Sequence, residues 1–262
     1  MKRLTLGVRL ESLGLPLRKA LAEASRLAVA GVQFDAVGDL APKNLSQSGR
    51  RELRHLLRSY SLELTALGCP LRHGLDHAEN QQARIDNIRE VMSLSFDLGP
   101  RRVVIEAGQV PDEKDLERTR LMTEALTDLG RHGDRSGTIL ALETGLESGD
   151  TLAQFLDRFD TGGLGVNLDP ANLLSHGFSP FDALRALNRR IVHVHAKDAR
   201  RGSSSRAMQE VPLGAGDIDW LQFLGILEEI EYRGWLTVER ESGDNRAADV
   251  AAGVAFLRQL VG

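Results

Sequence analysis

Four residues of types that bind metal ions each follow a short, mainly apolar run in the second half of the chain. They are Glu143 after Leu140–Leu142, Asp169 after Val166–Leu168, His195 after Val192–Val194, and Glu239 after Leu236–Val238. If these side chains converged in a site of low dielectric, the three carboxylates would repel one another strongly without a cation. A bound divalent ion removes that cost, so the four residues predict a metal site.

The alternation of side chains along each run supports a shared face for the four residues. Successive side chains of a strand point to opposite faces, which groups Glu143 with Ala141, Asp169 with Asn167, His195 with His193, and Glu239 with Thr237. The bulky residues between them, such as Val192 and Val194, fall on the other face. The polar or small face is therefore predicted to point into an enclosed interior, and the apolar face toward a layer of helices.

Each of these residues also has an ordinary structural explanation. A single Glu or Asp at a strand end is more often a helix N-cap or part of a loop salt bridge, and a single inward His is more often a hydrogen-bonded core residue. Four such positions on consecutive strands are harder to obtain by chance, which favours the metal site. Glu241 has the same parity as Glu239 and would replace it as a ligand if the last strand ended later.

The elements that must position these residues alternate between short β-like runs and longer helical patterns. The strand candidates are Leu4–Val8, Val32–Asp35, Glu63–Leu67, Arg102–Ile105, Thr138–Glu143, Leu164–Asp169, Ile191–Ala196 and Leu236–Glu239. The helix candidates are Leu17–Ala30, Ser46–Tyr60, Ala83–Leu98, Asp115–Arg131, Thr151–Phe159, Pro180–Leu187, Trp220–Ile230 and the segment from Arg246 onward. This α/β alternation with eight strands predicts a (β/α)8 TIM barrel formed as a single domain over residues 1–262. Active sites of such barrels lie at the C-terminal ends of the strands, where the four residues fall.

The composition argues against several classes of partner. The chain of 262 residues has a formal net charge of −4, whereas nucleic-acid binding is driven by clustered Lys and Arg, so no nucleic-acid partner is expected. An apolar stretch of about 20 residues is missing from the sequence, so no membrane partner is expected. The single cysteine, Cys69, excludes an intramolecular disulfide. Together with an N-terminus unlike a secretion signal, it indicates a cytoplasmic protein. Cys69 itself falls on the predicted loop after the third strand, where a surface position is expected and pocket lining is the alternative.

Four longer segments have a more specific pattern: Asn167-Leu168-Asp169-Pro170-Ala171-Asn172, His193-Val194-His195-Ala196-Lys197-Asp198, Val211–Trp220 and Gly234–Glu241. With them, nearly the whole chain resembles the sugar phosphate isomerase/epimerase family, the xylose isomerase-like barrels that include ketose 3-epimerases, hydroxypyruvate isomerases and inosose dehydratases. The resemblance implies a metal shell of Glu143, Asp169, His195 and Glu239. It also implies that Glu143 and Glu239 are catalytic, exchanging a proton with a carbon next to a carbonyl.

The resemblance implies a divalent-metal-dependent isomerase or epimerase that acts on a small-molecule sugar, either a keto-sugar or a related polyol ketone. The ion would hold oxygens of the substrate while Glu143 and Glu239 act as base and acid. A dehydratase or keto-sugar lyase would use the same shell, and a barrel that binds a sugar without turnover is the alternative from another class. Oxygen-rich ligation with one imidazole favours Mn²⁺, with Mg²⁺, Co²⁺ and Zn²⁺ as alternatives. Relatives are commonly dimers or tetramers, which allows a homodimer or homotetramer here.

Six further residues are candidate substrate-binding groups: Asn172, His193, Lys197, Asp198, Arg200 and Glu106. Several relatives have His where this chain has Asn172, and since an amide is a poor metal ligand, a multi-zinc site such as that of related endonucleases is not expected. Lys197 has inward parity and could neutralise an enolate, or form a salt bridge at the rim. Asp198 could orient His195 or Lys197, with a loop cap as an equal alternative, and a buried hydrogen-bonded role is favoured for His193.

The remaining two candidates are placed by their strands. Glu106 has the parity of Val104 on the fourth strand and is expected to reach the pocket. Arg200 lies with Arg201 and Arg206 in the longest apparently irregular stretch, residues 199–217 after the seventh strand, where barrels often bind phosphate. A solvated basic loop is the alternative for these arginines.

Overall fold

The computed structural model of the protein describes residues 4–202 and 208–261. Parallel strands form a closed barrel of β1 (Thr5–Arg9), β2 (Gly31–Asp35), β3 (Glu63–Gly68), β4 (Arg102–Ile105), β5 (Ile139–Glu143), β6 (Leu164–Leu168), β7 (Ile191–Ala196) and β10 (Trp235–Val238). Each strand pairs with the next barrel strand in the chain, and β10 closes the barrel on β1 with Leu236 opposite Leu6. The predicted fold class, a (β/α)8 barrel, is confirmed, and no predicted strand end differs from the observed one by more than one residue.

Helices connect the strands and cover the barrel: α1 (Leu17–Arg26), α2 (Gln47–Ser59), α3 (Gln81–Leu98), α4 (Leu116–Ser136), α5 (Gly149–Leu156), α6 (Pro170–Ser175), α7 (Pro180–Ala186), α8 (Trp220–Glu229) and α9 (Arg246–Val261). The short helix α6 was not predicted. It begins immediately after β6, where Asp169 is the N-cap and Pro170 occupies the first helical position, at which a proline is well tolerated. In the part of the chain that the structure describes, no helix has the length and apolarity that crossing a membrane requires.

The apolar faces of the strands pack under the helices as predicted, with Leu142, Leu168, Val194 and Val238 all buried in the main core. A second, smaller cluster of Ala66, Val104 and Ala141 lies apart from that core, and it includes inward-facing positions of β4 and β5. Val192 was expected on the outer face, but it packs against this small cluster. The cause is a register shift in the pairing of β6 with β7, which places Ile191 opposite Val166 but His193 opposite Asn167. Such an irregularity re-aims the extra residue.

Residues 199–217, expected to be irregular, contain most of a two-stranded antiparallel hairpin. Its strands are β8 (Asp198–Arg201) and β9 (Met208–Val211), paired from Asp198 opposite Val211 to Arg201 opposite Met208. Arg206 lies outside the described residues. The carboxylate of Glu210 on β9 accepts the backbone N–H groups of Glu241 and Ser242, each at 2.9 Å. The hairpin is thereby attached to the segment that follows β10, beside the strand ends that hold the predicted site.

The expectation of a surface position for Cys69 is wrong, because this residue is buried directly after β3. Its backbone N–H donates to the carbonyl of Val104 at 2.9 Å and so continues the pairing of β3 with β4. The side-chain amide of Asn87 on α3 lies 3.4 Å from Sγ. The residue that appeared to begin a loop therefore still belongs to the barrel wall.

Candidate metal centre

Strands β5, β6, β7 and β10 bring Glu143, Asp169, His195 and Glu239 together at the C-terminal end of the barrel. One ligand atom of each residue lies within 4.8 Å of the ligand atoms of the other three. Nδ1 of His195 is 2.9 Å from Oε2 of Glu239, 3.6 Å from Oε1 of Glu143 and 4.0 Å from Oδ2 of Asp169. Over residues 4–202 and 208–261, no other cluster of three or more His, Cys, Asp or Glu could hold an ion.

Two carboxylate oxygens of this cluster, Oδ2 of Asp169 and Oε2 of Glu239, are buried without a hydrogen-bond partner. An unpaired buried polar group costs about 1–3 kcal/mol, and more when it is charged. A divalent ion among the four side chains would offset that cost for both oxygens. Three carboxylates and one imidazole also form a donor set that suits Mn²⁺ and similar divalent ions, so the residues present fit a metal ion.

The two carboxylate oxygens of Asp169 have different surroundings. Oδ1 accepts the backbone N–H of Asn172 at 2.9 Å and caps α6, while Oδ2 faces the other candidate ligands. The backbone N–H of Asp169 donates to Oγ1 of Thr144 at 2.9 Å, which holds the residue against the end of β5. The helix-cap explanation of a strand-end acid therefore applies to Oδ1, while Oδ2 remains available to an ion.

The second ring nitrogen of His195 is held by Gln33 on β2. Nε2 of His195 lies 2.9 Å from Oε1 of Gln33, and because an amide oxygen only accepts hydrogen bonds, Nε2 is the protonated nitrogen with this amide orientation. In the neutral ring Nδ1 is then the acceptor; it lies 3.0 Å from the amide nitrogen of Asn167 and also faces the three carboxylates. Sequence reasoning missed Gln33, whose only mark in the sequence is a polar side chain between Val32 and Phe34.

Arg9, the last residue of β1, contacts Glu239. Its guanidinium donates to Oε1 of Glu239 and to both carboxylate oxygens of Asp35, at 3.1 and 3.3 Å. The Glu239 side chain is fully buried and that of Arg9 is 19% exposed. Sequence reasoning missed Arg9 as well, because the predicted first strand ended one residue earlier, at Val8.

Lys197, Asn172 and Glu241 form a polar group beside the candidate ligands. The Asn172 amide nitrogen donates to Oε1 of Glu143 at 2.9 Å, and its Oδ1 accepts from the Lys197 ammonium at 3.2 Å. The same ammonium binds Glu241 and lies 3.6 Å from Oδ2 of Asp169 and 3.8 Å from Oε2 of Glu239. Glu241, considered as a replacement for Glu239, instead lies on the far side of Lys197 and is half exposed.

The charges of the cluster change the proton affinities of its members. Burial opposes the charged form of His195, but Glu239 and Glu143 raise its pKa to about 10. Burial raises the pKa of Asp169 to about 7; Lys197 opposes this rise, and Glu143 and Glu239 add to it. Burial also opposes the charge of Lys197, yet Asp169 and Glu239 raise the pKa of its ammonium. Without an ion, protons and the Lys197 ammonium compensate the carboxylates.

The other predicted substrate-binding residues lie in different surroundings. His193 is buried one layer below His195, with Nδ1 2.8 Å from Oδ1 of Asn167 and Nε2 2.9 Å from Oγ1 of Thr237, which favours a structural role. Asp198 is buried and accepts the backbone N–H groups of Ala199, Gly214 and Gly216 and the indole N–H of Trp220, which also favours a structural role.

The two remaining candidates lie at the surface. Arg200 is exposed on β8, opposite Gln209 of β9. Glu106 is exposed immediately after β4, one step beyond the pair Ile105–Leu142, and is thus the strand neighbour of Glu143. Desolvation, Glu143 and Glu241 raise the pKa of Glu106, which is consistent with a position at the mouth of the barrel.

Comparison with known proteins gives both sequence and structural relatives. The chain is 32% identical over 117 residues to the inosose dehydratase of Clostridium tetani, a match that covers 40% of this chain and 39% of that protein. The chain thus matches less than half the length of the inosose dehydratases that it resembles. The crystal structure of a xylose isomerase domain protein from Planctomyces limnophilus aligns with a TM-score of 0.86 and 27% identity, covering 98% of this chain and 97% of that one.

A D-allulose 3-epimerase from Methylomonas sp. aligns with a TM-score of 0.79 and 20% identity, covering 99% of each chain, and at that identity it supports the fold alone. The family model described as "Xylose isomerase-like TIM barrel" matches residues 21–260, which is most of the chain. This protein therefore belongs to the xylose isomerase-like TIM barrel family.

Proposed function

We propose that this protein is a divalent-metal-dependent isomerase or epimerase that acts on a keto-sugar or a related polyol ketone. The observation that supports this most directly is the cluster of Glu143, Asp169, His195 and Glu239, in which two buried carboxylate oxygens have no hydrogen-bond partner. A bound divalent ion, with Mn²⁺ the first candidate, would supply Lewis acidity that makes a proton beside a carbonyl easier to remove.

Glu143 and Glu239 would move the proton. Within the barrel, β5 and β10 are separated by β6 and β7, so a substrate held over Asp169 and His195 would have a carboxylate on either side. The Glu143 side chain is 10% exposed, whereas that of Glu239 is fully buried and bound by Arg9. Glu143 is therefore the better placed of the two to take the first proton.

Asn172 and Lys197 would orient the substrate and the base. The amide of Asn172 holds one oxygen of Glu143 at 2.9 Å, which leaves the other oxygen of Glu143 for the substrate. The Lys197 ammonium lies within 4 Å of Asp169 and Glu239, where it could stabilise negative charge on a substrate oxygen. Glu106, the strand neighbour of Glu143, would accept a hydrogen bond from a hydroxyl farther along the sugar.

A dehydratase of a polyol ketone is the second candidate, and Lys197 is the specific observation that favours it. In that reaction Glu143 would take the proton from carbon, and the hydroxyl on the next carbon would leave as water after receiving a proton. Because its pKa is raised, the Lys197 ammonium stays charged and could donate a hydrogen bond to that hydroxyl, while the proton for the departing water could come from Glu143. The inosose dehydratases among the sequence relatives are consistent with this alternative.

The experiment is to incubate the Mn²⁺-loaded protein in D₂O with a panel of ketopentoses, ketohexoses and inososes, and to follow each by ¹H NMR. Deuterium at the carbon beside the carbonyl with an epimer or isomer as product supports the first candidate, and an unsaturated product supports the dehydratase. Glu143→Gln should abolish exchange, while Glu117→Gln, on the exposed face of α4, should not. Bound metal without exchange on any ketone would contradict both enzymes and favour a sugar-binding barrel.

A further inference from the structure

The carboxylate of Glu239 is held by a side chain from the opposite end of the sequence. Glu239 follows the last residue of β10, Val238. Arg9 donates one guanidinium nitrogen, Nη1, to Oε1 of Glu239, and the other, Nη2, to Asp35. Asp35 is itself anchored, because its backbone N–H donates to Glu11 at 2.9 Å. The guanidinium thus links β1, β2 and the segment after β10 at the rim of the candidate metal centre.

We infer that Arg9 is a positioning residue of the metal centre: it occupies Oε1 of Glu239, so that only Oε2 is offered to an ion. This inference rests on the proposed metal site. Oε2 is the buried oxygen without a hydrogen-bond partner, and it lies 2.9 Å from Nδ1 of His195. A carboxylate whose first oxygen is held by a guanidinium that is itself anchored on Asp35 is restrained from turning both oxygens toward an ion. Glu239 would therefore bind through one oxygen.

Asp169 also has one carboxylate oxygen bound by the protein and one that faces the site, but a different group binds the first oxygen. Its Oδ1 is occupied by the backbone N–H of Asn172, and its Oδ2 is the second unpartnered oxygen of the cluster. In both residues the chain binds one oxygen and leaves the other facing the site. For Asp169 this restraint comes from the N-terminus of α6, and for Glu239 it comes from Arg9. The backbone N–H of Glu239 donates to the carbonyl of Ala196 at 3.1 Å, but this bond fixes the backbone and not the carboxylate, so the restraint on Oε1 comes from the Arg9 side chain.

Arg9 is not placed to bind substrate or to act only as a charge. Nη1 donates to Glu239 and lies 3.5 Å from Oε1 of Glu241, and Nη2 donates to Asp35, so both terminal nitrogens face carboxylates of the protein itself. A cation is also present on the other side of Glu239, since the Lys197 ammonium lies 3.8 Å from Oε2. What Arg9 adds is the fixed geometry of a planar group with two points of attachment.

The test is to measure Mn²⁺ affinity in Arg9→Lys and Arg9→Met, and the visible absorption of the same variants loaded with Co²⁺. Loss of an outer partner of a metal ligand typically weakens metal binding by about 10- to 100-fold, so both variants should bind Mn²⁺ at least about 10-fold more weakly. The Co²⁺ bands should also shift in position and intensity as Glu239 changes its mode of binding. Arg26→Met, which removes an exposed arginine on α1, is the matched control and should leave both readouts unchanged.

A role of Arg9 as a charge alone gives the opposite pattern. Removing a cation near a divalent ion would strengthen Mn²⁺ binding in Arg9→Met, and Arg9→Lys would match the wild type; either result overturns the inference. If Arg9→Met does not fold, as judged by circular dichroism, Arg9→Lys and Asp35→Ala decide the question, because the first keeps a cation without the planar guanidinium and the second keeps the guanidinium without its anchor on Asp35. In a Glu239→Ala background, the Arg9 substitutions should cause no further weakening, and additive weakening would contradict the inference.

The metal titrations that test the role of Arg9 can fail independently of the ketone-exchange experiment that tests the proposed function. A wild-type protein that binds Mn²⁺ but exchanges no ketone proton would contradict the proposed function and leave the role of Arg9 open to confirmation by the same titrations. A wild-type protein that binds no divalent ion would overturn both.

Discussion

Oε1 of Gln33 lies 2.9 Å from Nε2 of His195, on the side of the ring opposite the nitrogen that faces Glu143, Asp169 and Glu239. Gln33 comes from β2 and His195 from β7, 162 positions apart in the chain. A metal-ligating histidine commonly donates its other ring N–H to such an acceptor, which fixes both the tautomer and the ring orientation. The second strand therefore contributes to a site whose candidate ligands all come from β5 to β10.

Gln33→Leu should weaken Mn²⁺ binding by about 10-fold or more, because the imidazole loses the acceptor that fixes its tautomer. The measurement is isothermal titration calorimetry of the metal-free protein at constant pH. Gln154→Leu, which replaces an exposed glutamine on α5, should bind like the wild type. An unchanged affinity in Gln33→Leu would show that the ring is oriented without this contact.

The candidate ligands could be predicted from the sequence because period-2 alternation and the strand ends define them locally. Glu143, Asp169, His195 and Glu239 each end a recognisable run, and the barrel needs only strand order to bring them together. Gln33 and Arg9 have no such local signal of function. Their roles arise from which side chain lies opposite them across the barrel, and that depends on strand register. The inward turn of Val192 has the same origin, since a register shift between β6 and β7 is not visible in the period of either strand.

Metal affinity should rise with pH. In the ion-free protein the pKa of His195 is raised to about 10 and that of Asp169 to about 7, and an ion requires both groups to be deprotonated. Binding should therefore release about one proton above pH 7, from His195, and a second one progressively below pH 7, from Asp169. Each released proton makes the affinity change by about tenfold per pH unit.

This pH dependence can be checked by calorimetric titration with Mn²⁺ between pH 6 and pH 8, in pairs of buffers with different ionisation enthalpies. The slope of affinity against pH should be steeper below pH 7 than above it. An affinity that does not vary over this range would show that the cluster is already deprotonated before the ion arrives.

Cys69 should resist alkylation in the native protein. Burial, and to a smaller extent the charge of Asp35, raise the pKa of its thiol to about 12. At pH 8 the thiolate, which is the reactive form, is therefore scarce, and the side chain is also shielded from reagent. Iodoacetamide at pH 8 should label the protein by mass spectrometry only after denaturation in urea, when the pKa returns to its ordinary value. Rapid labelling of the folded protein would contradict the buried position found after β3.

Asp198→Ala should cost stability more than it affects substrate affinity. The buried carboxylate of Asp198 receives four N–H donors, and three of them, from Gly214, Gly216 and Trp220, converge on Oδ2 at 3.0–3.1 Å. Replacing it leaves several donors without an acceptor, for a loss of about 3 kcal/mol in the free energy of unfolding. Urea denaturation followed by tryptophan fluorescence measures this loss, since Trp220 is itself one of the donors. Asp160→Ala, at an exposed position, serves as the control and should change stability by less than about 0.5 kcal/mol. If Asp198→Ala were as stable as the wild type but bound the substrate poorly, the carboxylate would belong to the substrate site and not to the support of the β8–β9 hairpin.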